Sequence, residues 1–429
     1  MSTFVPWKVL HFDLSEPIPA LPADKNCQGI YAVFWMQDVP LGHSVISCEQ
    51  LPMTPTQVQE LILDSVTPAV GNHLFAHGFK SPLPDTPFED EPCELGALLS
   101  VERPLQALQT QRQEVYQHND SAAPSVSLVI CTRDRPDDLR GCLASLRNLR
   151  RRPEQTIVVD NGSQTNETRL LVQAETGVEY VLQAQPGLSR ARNAGIARSW
   201  GDIVAFTDDD VVVHPAWLDG VLQGFEDTNV MAVTGPVLPA KLETEAQVLF
   251  QLGELNCGWG YRSLLFGTDF FGHTLHNGSP VWRIGAGANM AFRRKLFEQV
   301  GVFDERLGAG ASGCSEDSEM WYRVLAGGWK CLYQPSGAVF HAHRRDMDGL
   351  NHQMGQYMRG HVAALLVQWE SYRHWGNIRR AYGILPLYYG KRALRRALKR
   401  PGARNETVGA EILGCIAGTQ FYLRHRFMR

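Results

Sequence analysis

The sequence predicts an α/β fold around a mostly parallel sheet, with an α+β segment before it and helices after it. Three observations lead there. Between Val126 and His343, short apolar runs alternate with helix-like stretches, the pattern of successive βαβ units. Polar residues stand at the carboxyl ends of three of those runs: Thr132 after SLVIC, Asp160 closing QTIVVD, and Asp208-Asp209-Asp210 after DIVAF. Ligands of open α/β sheets bind beyond the carboxyl ends of the strands. Charge is also segregated: residues 1–120 carry a net −10, 121–345 a net −3 and 346–429 a net +9, within a total of −4.

A chain of 429 residues with 44% hydrophobic and 20% charged residues has an ordinary globular composition and room for two or three domains. We expect an accessory domain over residues 1–120, the sheet domain over 121–345 and a basic helical region over 346–429. In the first, GIYAVFWM (29–36) is strand-like. PTQVQELILDSV (55–66) is helix-like, with Val58, Leu61, Ile62 and Val66 on one face. Residues 111–125 are polar, end in small residues and proline, and predict a linker.

The sheet domain opens with SLVIC (127–131) as a buried strand, the turn TRDRP, and a helix from Asp137 to Leu149. QTIVVD (155–160) is the next strand, closed by the turn pair Asn161-Gly162. A helix over 164–175, a short strand EYVLQ (179–183), a glycine-bearing loop and a further helix lead into DIVAFT.

Nine scattered cysteines without C-x-x-C or zinc spacing point to a reducing, cytoplasmic setting. The N-terminus lacks a basic start followed by an apolar core, so no signal peptide is expected. No segment reaches the roughly 18 uninterrupted apolar residues of a membrane span. The best, Val408 to Leu423, contains Glu411 and Gln420.

Three adjacent carboxylates at a strand end repel one another, and they suit a hard divalent cation, Mg²⁺ or Mn²⁺. Alternation along an extended chain puts Asp208 and Asp210 on one side and Asp209 on the other. Helix capping explains them poorly, because β-branched residues and Pro215 follow. In QPGLSRARNAGIARS (185–199), Arg190 and Arg192 lie near a helix start, where phosphate is readily held. Gly285 and Gly287 in VWRIGAGANMAFRR permit close backbone approach. In SGCSEDSEMWYR, Ser315 could cap a helix with Glu316 and Asp317 in its first turn, or one of these acids could act as a general base. His341 and His343 share a strand face as a candidate metal pair.

In the tail, Lys391, Arg392, Arg395, Arg396, Lys399 and Arg400 form a basic helical stripe flanked by aromatics. Residues 388–400 therefore suit an anionic membrane surface. Nucleic acid is not expected, since no other basic patch or binding motif accompanies the stripe.

In order, VSLVICTRDRPDDL, VVDNGS, GLSRARNAGI, FTDDDVVVHPAWL, GAGANMAFRR, VGVFDERLGAG and SEDSEMWYR resemble a family 2 glycosyltransferase with a GT-A fold, over about Val126 to His343. The resemblance implies a nucleotide-diphosphate sugar donor, UDP-linked by expectation, and Mg²⁺ or Mn²⁺ on its diphosphate. Thr132, Arg133, Arg135, Asp160, Arg190, Asn193, Asp208 and Asp209 would face the nucleotide sugar. Asp210 would be the main metal ligand, joined by Asp208 and His341. Asn289 and Glu316 would touch acceptor or donor sugar, and Asp317 would deprotonate the acceptor hydroxyl. It further implies an inverting enzyme; the basic tail motivates a glycan or lipid-linked acceptor and, with the cysteine usage, a cytoplasmic protein peripheral at the inner face of the membrane. No Q-x-x-R-W stretch or membrane span follows, which argues against a processive synthase. Two other readings remain: a nucleotidyltransferase, whose glycine-rich first loop is replaced here by TRDRPDD, and a sugar-nucleotide-binding protein without catalysis.

Overall fold

A computed structural model describes residues 4–76, 123–253, 260–398 and 406–427. Most of the expected 111–125 linker, together with Lys399 and Arg400 of the basic stripe, lies outside them. The chain forms two compact units. One comprises the N-terminal segment up to Ala123 with Lys241–Thr244 and the segment ending at Ser263, and the other holds the rest. The helices after residue 346, expected as a region of their own, belong to the same unit as the sheet.

The N-terminal unit has three strands, β1 (Trp7–Asp13), β2 (Gly29–Met36) and β3 (Val39–Ser47), with β1 parallel and β3 antiparallel to β2. The central strand β2 is buried along its whole length, as its unbroken apolar run requires. Helix α1 (Pro55–Ala76) presents Val58, Ile62 and Val66 to a core shared with Ile30, Phe34 and Ile46. Leu61, expected on that face, is only half-buried at its edge.

The larger unit is built on an eight-stranded sheet. Its first half follows the predicted order: β4 (Val126–Thr132), α2 (Pro136–Leu146), β5 (Gln155–Asp160), α3 (Glu167–Gln173), β6 (Val178–Leu182), α4 (Leu188–Arg198) and β7 (Ile203–Asp208). Strands β6, β5, β4 and β7 lie side by side and parallel. After β8 (Val211–Val213) and α5 (Trp217–Gln223), β9 (Val230–Thr234) extends the sheet beyond an inserted antiparallel strand, β12 (Asn289–Arg293). The edge is formed by β13 (Lys330–Tyr333), parallel to β9, and by β11 (Leu264–Phe266), antiparallel to β13.

Register sets the site. Thr132 pairs with Asp160, Cys131 with Asp208, and Asn289 with Thr207, so the polar strand ends stand in one row. A small second sheet places β14 (Val339–His341) between β8 and β10 (Val237–Pro239), with His341 opposite Val211. After α6 (Glu245–Leu252), α7 (Thr268–Thr274) and α8 (Leu296–Val300), helix α9 (Glu316–Ala326) follows a loop, 302–315, that includes the buried Phe303 and Leu307.

The tail begins with α10 (Met347–Tyr372), capped by Asp346 accepting from the Gly349 amide. It continues through α11 (Trp375–Arg379), a π-turn over Arg380–Ile384, α12 (Leu385–Ala397) and α13 (Val408–His425). Leu307, Val362 to Val367, Leu385, Tyr389 and Tyr422 form the core beneath these helices. Helix α13 lies unusually close to α10: a Cβ at Gly414 would stand 2.3 Å from the Gly355 carbonyl, and one at Gly418 2.4 Å from that of Arg359. Only glycine permits that approach.

Candidate active site

Strand β7 stops at Asp208, and Asp209 and Asp210 occupy the turn into β8. Asp208 lies beside Arg192, whereas Asp209 and Asp210 share Arg135, because the turn after the strand interrupts the alternation that would group Asp208 with Asp210. Asp209 points inward and is 1% exposed, accepting from Thr132 Oγ1 at 2.7 Å and from Arg135 Nε at 3.2 Å and Nη2. Arg135 Nη1 also donates to Asp210 at 2.7 Å. Burial pushes Asp209 up to about 7, against the pull of Arg135. Burial opposes ionisation of Asp210 too, but His341 and Arg135 outweigh it and hold the carboxyl down to about 2. For Asp208 burial prevails over Arg192 and raises the pKa.

Thr132 donates to Asp209, and Asp209 also accepts from Arg135, so these contacts brace the acidic turn. Asp210 keeps an unused atom. Its Oδ1 is buried without a hydrogen-bond partner, with His341 Nε2 at 3.3 Å but outside hydrogen-bonding geometry. Asp210 raises the His341 pKa in spite of burial, while burial and then His341 push the neighbouring His343 down to about 3. His343 faces Gln251 and the ring of Phe250, and its Nδ1 lies 3.1 Å from that of His341.

The second half of the site centres on Arg192, which is 2% exposed although it lies on a helix whose sequence reads as polar. Its guanidinium pairs with Glu316, lies 3.5 Å from Asp208 Oδ1, donates to the Gly287 carbonyl at 3.3 Å, and stacks over Phe206 and Phe303. The Gly287 amide in turn donates to Asp317 Oδ2 at 2.8 Å. A continuous chain, Asp208–Arg192–Gly287–Asp317, thus joins the acidic strand end to the start of α9. Burial pushes Glu316 up to about 7 against Arg192. The half-buried Asp317 has its other oxygen turned to the Ser318 amide and hydroxyl.

Other expectations change. Ser315 precedes α9 in a left-handed conformation, φ 71°, and its side chain makes no cap, so the first-turn acids are held by Arg192 and Gly287 instead. Asn193 uses both amide groups on the Phe303 backbone, at 2.9 Å each, and fastens α4 to the loop. Asn289 is fully buried: it accepts from Trp217 Nε1 and donates to the Pro236 and Gly337 carbonyls. Both Nδ2 hydrogens of Asn289 are used within the fold. Glu316, expected at a sugar, is buried as the partner of Arg192. Arg190 pairs with Glu305 and Gln185, Arg133 lies near Asp134 at the surface, and Asp160 accepts from the Ser163 amide and the Tyr180 hydroxyl. The sequence pairs Arg192 with Arg190 as a phosphate contact at a helix start, but the fold buries Arg192; the three-residue spacing of Ser189, Arg192 and Gly195, all buried, is the signal that it faces inward.

Among the described residues no three His, Cys, Asp or Glu side chains converge to hold a metal unaided. Asp208 and Asp210 nevertheless fit a hard cation: both offer oxygen, and the orphaned Asp210 Oδ1 lacks a partner that such an ion would supply. A cavity of about 1120 Å³ is lined by Arg190, Arg306, Glu319 and Arg323 among others, and its lining includes none of these acids or Asp317.

The parallel sheet with its reversed β12 and acidic carboxyl edge defines the GT-A class of sugar-transfer folds. Residues 127–301 match the family described as Glycosyl transferase family 2. These residues form a family 2 glycosyltransferase domain. It is 30% identical over 225 residues to the pre-mycofactocin glycosyltransferase of Mycobacterium tuberculosis, covering 52% of this chain and 43% of that protein. It is 32% identical over 226 residues to the succinoglycan biosynthesis protein ExoM of Rhizobium meliloti, covering 50% and 65%. The chain thus spans less than two thirds of either relative. A solved mannosyltransferase from Pyrobaculum calidifontis, in complex with GDP-Man and Mn²⁺, superposes with a TM-score of 0.48 at 16% identity, over 73% of this chain and 94% of that one. That likeness is too distant to bear on the chemistry.

Proposed function

We propose that this chain transfers a sugar, with inversion, from a nucleotide-diphosphate donor to an acceptor hydroxyl in glycan or glycolipid synthesis, at the cytoplasmic face of a membrane. The reading rests on the linked chain Asp208–Arg192–Gly287–Asp317, which ties the acids suited to a donor's diphosphate to a carboxylate suited to a base. Asp317 takes the acceptor hydroxyl proton while that oxygen forms its bond to the anomeric carbon. The bond from that carbon to the diphosphate oxygen breaks on the opposite face, and the nucleoside diphosphate leaves with the electron pair. Asp208 and Asp210 would hold Mg²⁺ or Mn²⁺, which when bound neutralises charge on the leaving diphosphate. Arg135 and Arg192 keep the acids in place meanwhile. Gly287 orients Asp317 through its amide. A uridine diphosphate sugar is the donor we favour.

Asp317→Asn should lower transfer roughly 10²–10⁴-fold and leave nucleotide binding by calorimetry intact; loss of binding as well would remove its role as base. Asp210→Ala should abolish the Mn²⁺ dependence of that binding. An unchanged Mn²⁺ response would overturn the ligand assignment.

A further inference from the structure

No acid occurs between Leu385 and Leu398, and Glu411 is the only one between Val408 and Phe427. Glu411 is buried, accepting from Arg392 Nη1 at 2.8 Å, Tyr389 at 2.7 Å and Thr407 at 2.6 Å, so it brings no negative charge to the surface. Arg392 is buried with it. This withdraws Arg392 from the basic stripe that the sequence suggests and leaves Lys391, Arg395 and Arg396 exposed on α12. Arg424 and Arg426 add two exposed cations at the end of α13.

Large apolar side chains stand among these cations. On α12 and just after it, Leu387 (69% exposed), Leu394 (61%) and Leu398 (59%) recur at i, i+7 and i+11, with Lys391 between them. On α13, Leu413 (67%) and Ile416 (53%) lead to Leu423 (54%) and then Phe427 (84%), at i, i+3, i+10 and i+14. Both sets are single helical stripes, and each faces away from the core that holds Leu385, Tyr389 and Tyr422. The two helices are pinned antiparallel, by Arg392 to Glu411 near one end and by the Tyr382 hydroxyl to Thr419 Oγ1 at 3.4 Å near the other. Seven large apolar groups left in water at helical spacing mark a surface that another phase or partner covers.

Charge decides which. A second copy would set cations against cations, because neither stripe carries an exposed acid to answer them. An anionic bilayer complements both features at once, taking the leucines and phenylalanine into its interface and the lysine and arginines at its headgroups. No described helix is long and apolar enough to cross a membrane, so the hairpin would lie in the plane of the surface.

We propose that the α12–α13 hairpin is a docking face for an anionic lipid bilayer. The proposal is independent of the transfer reaction proposed above. The test is flotation of the full chain with vesicles of phosphatidylcholine alone or mixed with phosphatidylglycerol. The protein should float with the mixed vesicles and remain behind with the neutral ones. Lys391→Ala/Arg395→Ala/Arg396→Ala should lower partition roughly a hundredfold, and Leu413→Gln/Ile416→Gln/Leu423→Gln should abolish the binding that survives high salt. Both variants should keep the wild-type circular-dichroism melt, which separates lost docking from lost folding. Equal flotation of wild type and variants, or none by the wild type, would overturn the proposal. So would a dimer in analytical ultracentrifugation that the Leu413→Gln/Ile416→Gln/Leu423→Gln variant dissociates, since the face would then join two copies.

Discussion

Among the described residues two arginine–glutamate pairs have both side chains buried, and their surroundings differ in their balance of charge. In the tail, Arg392 meets Glu411, whose remaining capacity is filled by the hydroxyls of Tyr389 and Thr407. One positive charge balances one negative charge. At the sheet edge, Arg192 meets Glu316 but is approached also by Asp208, with Asp317 on the neighbouring amide. One positive charge serves several carboxylates there, and Glu316 Oε2 is buried without a hydrogen-bond partner. Burial of an ion pair alone says little about function, because desolvation and attraction nearly cancel. A surplus of buried like charge does say something, because folding gains nothing from it. The tail pair is balanced in charge, although Arg392 Nε and Nη2 are buried without hydrogen-bond partners beside the rings of Tyr388 and Tyr389; only the sheet-edge pair carries a surplus of like charge.

The sharpest way to break this contrast is to remove each arginine. Arg192→Met strands Glu316 in a buried site and should cost about 3–5 kcal/mol, read as a large drop in the thermal midpoint. Adding Glu316→Leu should recover most of that stability without restoring transfer, because Asp208 and Gly287 still lack their partner. If the double variant transfers sugar normally, Arg192 is only a structural rivet.

The charge surplus also predicts a pH dependence. Burial raises Asp209 from its ordinary value near 3.8, and Glu316 from near 4.5, to about 7 each. Between these limits the folded chain holds protons that the unfolded chain has released, so stability falls as pH rises from about 4 to 7. The full Glu316 shift corresponds to about 3 kcal/mol, an upper bound on its share. Chemical denaturation across that range should show the decline, Glu316→Gln should flatten it, and Mn²⁺ should offset part of it at pH 7. Asp210 works in the opposite sense: held at about 2, its contribution is lost only as pH falls below about 4.

Arg392→Met is the milder counterpart. Glu411 keeps two hydroxyl donors, so the loss should be about 2 kcal/mol, with transfer to a water-soluble acceptor unchanged. A loss of transfer larger than the loss of folded protein would show that the tail pair reaches the site.

Much of this arrangement was legible in the sequence because it is local. The strands of the sheet, from QTIVVD to DIVAF, follow from apolar runs closed by turn residues. The opposed directions of Asp208 and Asp209 follow from the two-residue repeat of an extended chain. What stayed hidden is what depends on partners distant in sequence. Asn193 and Asn289 read as ligand contacts, yet their amides satisfy the backbone at Phe303, Pro236 and Gly337, a pairing that no local pattern encodes. Arg392 belongs to the basic stripe by spacing, and only the packing of α13 brings Glu411 to bury it. Arg192 is the same case in reverse, a charged residue on a polar-looking helix drawn inward by acids far along the chain.

The smallest expected change in stability comes from paired glycine substitutions, and it isolates geometry from charge. At Gly287 a Cβ would stand 2.9 Å from Arg192 Nη2 and 3.2 Å from Asp317 Oδ2. Those contacts are tight, but both belong to side-chain ends that can give way. Gly287→Ala should therefore cost no more than about 1 kcal/mol while shifting Asp317 enough to reduce kcat about tenfold or more, with donor KM little changed. At Gly409, an exposed position in the first turn of α13, the nearest atom to a new Cβ is Arg396 Nη1 at 3.8 Å. Gly409→Ala should stabilise by about 0.5–1 kcal/mol through helix propensity and leave kcat unaltered. If both substitutions left kcat alone, the amide of Gly287 would not be what aims Asp317, and the chain from Asp208 to the base would be broken at that link.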